Sequence, residues 1–188
     1  MDASTPVCPD GRPVTAVTTE ETRAIDRVAV EAVGLDLPRM MEHAGRGLAE
    51  AVIAHRTGGP VTVLAGNGGN GNDGLACARH PANRGLAVRV VLDRDPAGIG
   101  DVTAERLRIF EAIDVPIEAT DCAPDPGIDA AGSVVSLDVP SGTNGMTGGA
   151  SGVAVDPRMS LAVALRTPPS GNGYRVYSGT YDRETGRE

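Results

Sequence analysis

At 188 residues the chain is long enough for one domain with its own core and leaves little room for a second. Its 25 Asp and Glu outnumber 17 basic residues, all of them Arg, and the resulting net charge of -8 argues against nucleic acid as a partner. No apolar run approaches the ~20 residues of a membrane span, and the N-terminus lacks the basic-then-apolar order of a signal peptide, so the expectation is a cytoplasmic protein without a membrane partner.

In chain order, residues 1–14 carry Pro6, Pro9, Gly11 and Pro13 with little periodicity and read as a disordered tail. Thr18 to Glu21 supplies a helix start of the capping-box type. Apolar positions then recur at Ala24, Ile25, Val28, Ala29 and Ala32 until Gly34 ends the helix. A second helix fits Leu37 to His55, with Met40, Met41, Ala44, Leu48, Val52 and Ile53 on one side. Val61 to Ala65 is a short β-branched run that reads as a buried strand. A loop of Gly66, Gly68, Gly69, Gly71 and Gly74, interleaved with Asn67, Asn70, Asn72 and Asp73, follows it. A helical pattern then opens at Leu75 and runs to about Asn83, with Pro81 expected to kink it or end it early.

Ala87 to Leu92 is the next strand, with Asp93, Arg94, Asp95 and Pro96 at its C-terminal end. Asp101 is expected to cap a helix through Leu107, Phe110 and Ile113. Short strands fit Pro116 to Ala119, Val134 to Asp138 and Ser160 to Leu165, and Arg175 to Tyr177 fits an edge. Strands alternating with helices predict a largely parallel sheet covered on both faces, in a domain of residues 15–180 followed by a charged tail at 181–188.

The strand–Gly loop–helix unit is the segment richest in chemistry. Glycines let the backbone approach a ligand without a Cβ in the way, and a helix N-terminus offers unpaired N–H groups to an anion. The unit therefore suits a phosphate, placed near the amides of Asp73, Gly74 and Leu75; a glycine-rich turn without a ligand is the alternative. The spacing is not that of a P-loop, which also needs a Lys that this chain lacks. Ligands of open α/β sheets lie beyond the carboxyl ends of the strands, which draws attention to Asp138-Val-Pro-Ser-Gly142. A carboxylate from Asp138, an amide oxygen from Asn70 and a hydroxyl from Ser141 on one crevice could hold a hard cation. Cys8, Cys77 and Cys122 show neither an even count nor C-x-x-C spacing and read as free thiols.

Several of these segments, in this order, resemble a known family. Met41-Glu-His-Ala-Gly-Arg46, Gly66 to Leu75, Ala78-Arg-His80, Asn83-Arg-Gly85, Val135 to Gly142 and Thr147-Gly148 are similar to the NAD(P)H-hydrate epimerases, the YjeF N-terminal domain family. The resemblance covers roughly residues 16 to 166. It implies a three-layer α/β/α Rossmann-like sandwich with two leading helices, in a protein that is usually a homodimer. It implies interconversion of the R and S hydrates of damaged NADH and NADPH, the substrates NADHX and NADPHX, with potassium as cofactor. The family's N-N-G-G-D loop, which contacts substrate, falls on Gly69, Asn70, Gly71, Asn72 and Asp73. Its D-[IV]-P-S-G places Asp138 in contact with substrate and makes it the acid/base candidate. Potassium ligands fall on Asn70 and Ser141.

The chain departs from that pattern at stated places. Gly69 replaces the loop's first Asn, and Asn72 its second Gly, which is expected to force Asn72 into a glycine-like backbone. His43 stands where Asn is usual, and Arg166 and Thr167 occupy the place of a Lys. Only Val115 to Gly132 bridges an interval that normally holds a strand, a Gly-Thr-Gly loop and a helix, so one strand–helix unit is expected to be missing. The alternative to an epimerase is a catalytically inactive nucleotide-binding or interaction protein on the same scaffold.

The acidity carries its own expectation. Acidic excess without Lys fits a halophilic, salt-accumulating source; codon bias toward Arg, Ala and Gly explains the missing Lys but less of the acidity. Repulsion among surplus carboxylates is screened by salt, so the melting temperature is expected to rise from low to molar potassium chloride. A flat thermal-melt series would leave codon bias as the better explanation.

Overall fold

The computed structural model describes residues 18–98, 100–120, 133–144, 149–150, 152–166 and 175–182. The expected N-terminal tail, Cys8, Cys122, most of the bridge before Val134, and Thr147-Gly148 lie outside the described residues.

The first helix, α1, spans Thr19–Glu31 and starts as the capping box requires. The Thr18 hydroxyl accepts from the Glu21 amide at 3.2 Å, and the Glu21 carboxylate accepts from the Thr18 amide at 2.7 Å. Helix α2 spans Leu37–His55, with Asp36 accepting from the Arg39 amide and Pro38 in the first turn, where its missing N–H costs nothing. Strand β1, Val61–Ala65, alternates buried Val61, Val63 and Ala65 with exposed Thr62 and Leu64. Helix α3 covers Gly69–Ala82 and strand β2 covers Val88–Leu92.

A short 3-10 turn at Pro96–Gly98 leads to α4, Asp101–Ala112. Its cap is Gly100 rather than the expected Asp101, and no side chain bonds there. Strands β3 (Ile117–Ala119), β4 (Val135–Leu137), β5 (Met159–Arg166) and β6 (Arg175–Asp182) complete the order. Tyr181 and Asp182, assigned from sequence to the tail, pair with Ser160 and Met159.

The α/β class and the largely parallel pairing follow the sequence. Strands β1, β2 and β3 are parallel in the order β1-β2-β3, from Val61 opposite Val88 to Leu92 opposite Ala119. Strand β4 pairs in parallel with β5, while β6 returns antiparallel along β5. The strands thus form two three-stranded sheets rather than one. Where a doubly wound domain places its fourth strand, on the free side of β1, no described strand lies. A cavity of about 1080 Å³ stands there instead, with Val61 to Leu64 on one wall and Ser133 to Leu137 on the other. Among the described residues no strand–helix unit fills that place, in keeping with the shortened bridge.

Two apolar clusters match the two sheets. Val61, Val63, Val88, Val90 and Leu92 pack under Leu75 and Ala78 of α3 and Leu107 and Phe110 of α4. Leu137 and Leu161 of the second sheet pack against Leu48, Ala49 and Cys77. Val52 of α2 packs against both clusters, and α3 contributes to each, so these helices join what the strands leave divided. Pro81 does not end α3 early. It sits buried in the last turn, where losing one backbone bond to Cys77 is tolerable, and Gly85 at φ 75 turns the chain out.

The α2–α3 contact leaves no room for a side chain at Gly45. A Cβ there would stand 2.4 Å from Ala76 Cβ and 2.6 Å from the Asp73 carbonyl oxygen. At Gly47, two residues on, the nearest atom would be Leu161 Cδ2 at 3.7 Å. In urea melts, Gly45→Ala is expected to cost about 1–3 kcal/mol through overpacking. Gly47→Ala should be neutral or stabilise by up to about 1 kcal/mol through helix entropy. Equal effects at the two positions would contradict this packing.

Candidate functional site

The glycine-rich segment folds differently from the expectation. Helix α3 begins at Gly69, not Leu75, so Gly69 to Gly74 form its first turns. The reason is tertiary. Gly71 sits so close to the loop that a Cβ would fall 1.7 Å from the Gly66 carbonyl oxygen, while Gly74 lies against Val63. That packing outweighs the poor helix propensity of a Gly/Asn run. Gly68 is the cap, and the Asn72 amide donates to its carbonyl at 3.0 Å. The amides free for an anion therefore belong to Gly69, Asn70 and Gly71, not to Asp73, Gly74 and Leu75, which lie within the helix. Asn72 is helical too and takes no positive φ, so the expected glycine-like strain at this position is absent.

Asn70, Gly69 and Gly71 line the cavity between β1 and β4, and so does Ser141 from the turn after β4. The Ser141 carbonyl accepts from Val155 at 2.9 Å, and Gly142 follows at φ 90, where a Cβ would meet the Val153 carbonyl at 2.3 Å. The turn is thereby held against the segment before β5. Asp73 and Asp138 are not among the lining residues of that cavity. Asp73 belongs to the first turns of α3, and Asp138 follows the end of β4.

Asp138 has a left-handed backbone, φ 56, and its amide donates to the Leu161 carbonyl at 2.7 Å. A non-glycine residue held there carries strain that the surrounding structure must impose. Burial pushes the Asp73 carboxyl up to about 7, with repulsion from Asp138 adding to the rise and Arg106 opposing it. Asp73 Oδ1 is buried without a hydrogen-bond partner, and so is Oδ1 of Asn72, whose Nδ2 donates to the Gly68 carbonyl.

A second polar group was missed from sequence. Glu42 of α2 accepts from Arg79, lies 3.0 Å from His80 Nε2 and 3.7 Å from an Arg106 nitrogen. Arg106 also donates to the Pro38 carbonyl. One carboxylate thus ties α2 to α3 and α4 next to Asp73. Its parts stood in quoted segments, Met41-Glu-His43 and Ala78-Arg-His80, but nothing local says that they converge. At the end of β2, Arg94 donates twice to Asp93, at 2.9 and 3.0 Å, and holds that carboxyl below its ordinary range. Cys77 is a buried free thiol, its pKa raised by burial to about 12. Among the described residues no group of three His, Cys, Asp or Glu converges as a metal site, and no helix is long and apolar enough to cross a membrane.

Comparison with known proteins places this geometry among relatives. Residues 38–126 match the family described as YjeF-related protein N-terminus. An NAD(P)H-hydrate epimerase of Dehalogenimonas lykanthroporepellens is 37% identical, over 82% of this chain and 76% of that protein. One from Limosilactobacillus fermentum is 32% identical over 78% and 84%. The bifunctional NAD(P)H-hydrate repair enzyme Nnr of Thermofilum pendens is 31% identical, and there the match spans 36% of the longer protein. The crystal structure of yeast YNL200c shares the fold, with a TM-score of 0.68 at 20% identity over 82% of this chain and 90% of that one.

Asp73 sets a pH dependence whose sign is fixed. Its folded pKa lies above the ordinary 3.8, so the folded state holds the proton more tightly than the unfolded chain. The stability it contributes is complete in acid and is lost as pH rises from about 4 to about 7. Asp73→Asn is expected to flatten that fall and to raise stability at pH 8 by on the order of 2 kcal/mol, the full shift being reduced by local relaxation and solvent. Urea melts at pH 5 and pH 8 read the difference; parallel behaviour of the two proteins would mean that Asp73 ionises normally.

Proposed function

The chain belongs to the YjeF N-terminal family, which includes NAD(P)H-hydrate epimerases, and from that premise we propose that it interconverts the R and S hydrates of NADH and NADPH. The observation that supports this most is Asp138. It ends a parallel strand at the edge where α/β sheets take ligands, in a strained backbone, beside a second carboxyl. Inverting the hydrated ring carbon requires loss and return of its hydroxyl, and a positioned carboxylate assists both by proton transfer. In this reading Gly69, Asn70, Gly71, Asn72, Asp73 and Asp138 form the substrate site. The nucleotide's phosphates lie at the first amides of α3.

Potassium is the cofactor in this reading. Asn70 and Ser141 offer neutral amide and hydroxyl oxygens to one cavity, a donor set that fits a hard monovalent ion. These two residues would hold it, and the bound ion would order loop and turn while the carboxylates move protons. Assembly as a homodimer and action on the cytoplasmic pool of nicotinamide nucleotides belong to the same proposal.

The competing reading is an inactive nucleotide-binding protein on this scaffold, and the gap beside β1 favours it, because that position would otherwise wall the crevice. Incubation with the R hydrate and a dehydratase specific for the S form separates the two readings by the NAD(P)H that appears. Asp138→Asn is expected to lower turnover by about 100-fold or more, the range of one acid/base group. Its circular dichroism should match the wild type. Unchanged turnover would remove Asp138 from the mechanism.

A further inference from the structure

Resting on the epimerase reading and extending it to substrate choice, we propose that Asp93 accepts the ribose hydroxyls of the nucleotide's adenosine half, selecting the hydrate of NADH over that of NADPH. The glycine-rich loop holds a spacing that the cavity does not account for. Gly66, Gly68 and Gly71 stand as G-x-G-x-x-G between a strand and a helix, the pattern of dinucleotide-binding βαβ units. The spacing alone is weak evidence, but here the glycines have structural tasks. A Cβ at Gly71 would fall 1.7 Å from the Gly66 carbonyl oxygen, so helix and loop touch through backbone. A Cβ at Gly68 would meet nothing within 4 Å, and this exposed backbone is open to an approaching pyrophosphate.

The same pattern places an acidic residue at the end of the next parallel strand, about 20 residues on, to hold the adenosine ribose. Asp93 stands at that place. It directly follows β2, and its amide donates to the Ala65 carbonyl at 3.3 Å, which sets it beside the loop's first residue. Its Oδ2 would lie 3.2 Å from a Cβ at Gly66. Asn67 pins the loop to the start of α4, accepting from the Gly100 amide at 3.2 Å. Gly66 and Gly68 also line the cavity between β1 and β4, whereas Asp93 and Arg94 do not. A dinucleotide laid across the loop would therefore have one half in the cavity and the other over β2.

The carboxylate has capacity left for a diol. Arg94 takes one lone pair on each oxygen, at 2.9 and 3.0 Å, of the roughly four that an ionised carboxylate offers. Each oxygen keeps one, which matches the neighbouring 2′- and 3′-hydroxyls of a ribose. The two side chains are 41% and 47% exposed, open to a ligand. An exposed ion pair adds little to stability, so holding the fold does not explain this one. A phosphate on the 2′-oxygen would meet the carboxylate's negative charge, while the guanidinium that could receive it is engaged by Asp93. Specificity is a difference of affinities, and Asp93 acts on both sides of it.

Isothermal titration calorimetry with ADP-ribose and with its 2′-phosphate tests this subsite apart from catalysis, since neither compound carries a nicotinamide ring. The wild type should bind ADP-ribose about 10-fold more tightly, the worth of one charge-assisted hydrogen bond. Asp93→Asn should reverse that order, because it weakens the diol contact and frees Arg94 for the phosphate. Adding Arg94→Ala to it should abolish the gain for the phosphate. Equal wild-type affinities, no binding of either compound, or an order unmoved by Asp93→Asn would overturn the inference. In the epimerase assay the wild type should show the lower KM for the NADH hydrate, and Asp93→Asn should invert the ratio. Turnover of both hydrates with a ratio untouched by that substitution would overturn the inference and leave the epimerase reading intact. A wild type that turns over neither hydrate, yet binds ADP-ribose through Asp93, would sink the epimerase reading and leave the subsite standing.

Discussion

The close approach of α2 and α3 is the constraint on which the rest depends. It is possible because Gly45 has no side chain and Ala76 opposite it has a small one. The contact places Leu48, Ala49 and Cys77 against Leu137 and Leu161, while Leu75 and Ala78 of α3 reach the first sheet. Helix α3 is thereby gripped from both sides and serves two cores at once. Its start is set by the same grip. The first turn lies on the Gly66 carbonyl, and the carboxyl of Asp73 is carried inward toward Asp138 and Arg106.

The division of the sheet gives those helices their importance. In a continuous sheet, backbone hydrogen bonds between neighbouring strands hold the two halves in register. Here β1 and β4 face each other across a cavity, and the joint consists of apolar side chains on α2 and α3. Hydrophobic contact is non-directional, so it fixes position less sharply than a ladder does. The Glu42 cluster adds direction where the apolar contacts lack it. Arg79, His80 and Arg106 each have a fixed place on their helices, and one carboxylate meets all three. Among the described residues, alignment of the two sheets thus rests on side chains rather than on a backbone ladder.

The same loss shapes the candidate site. Asn70 and Ser141 share a cavity because no described strand stands between β1 and β4. Asp73 is not among the residues that line it, and there burial penalises the charged form of the carboxyl.

The sequence by itself determined whatever a few neighbouring residues can encode. Thr18 with Glu21, Asp36 with Pro38, and the alternation of Val61, Val63 and Ala65 announce their elements, because capping bonds and strand faces are local. Asp138 and Ser141 could be picked out because a strand end followed by a turn marks an edge where ligands sit. The shortened bridge before Val134 also led to the expectation of a missing unit, and none is found there among the described residues. Tertiary structure alone decided that Gly69 to Gly74 are helical, since the Gly66 carbonyl and α2 impose a conformation that Gly and Asn do not prefer. It alone decided that the described strands form two sheets with a cavity between β1 and β4. It alone brought Asp73 to Asp138 and Glu42 to Arg79, His80 and Arg106, groups separated by 37 or more residues in the two bonds from Glu42 to α3. Propensity and spacing act over a turn or a strand, whereas burial, repulsion and ion pairing act between whatever side chains the packing of helices brings together.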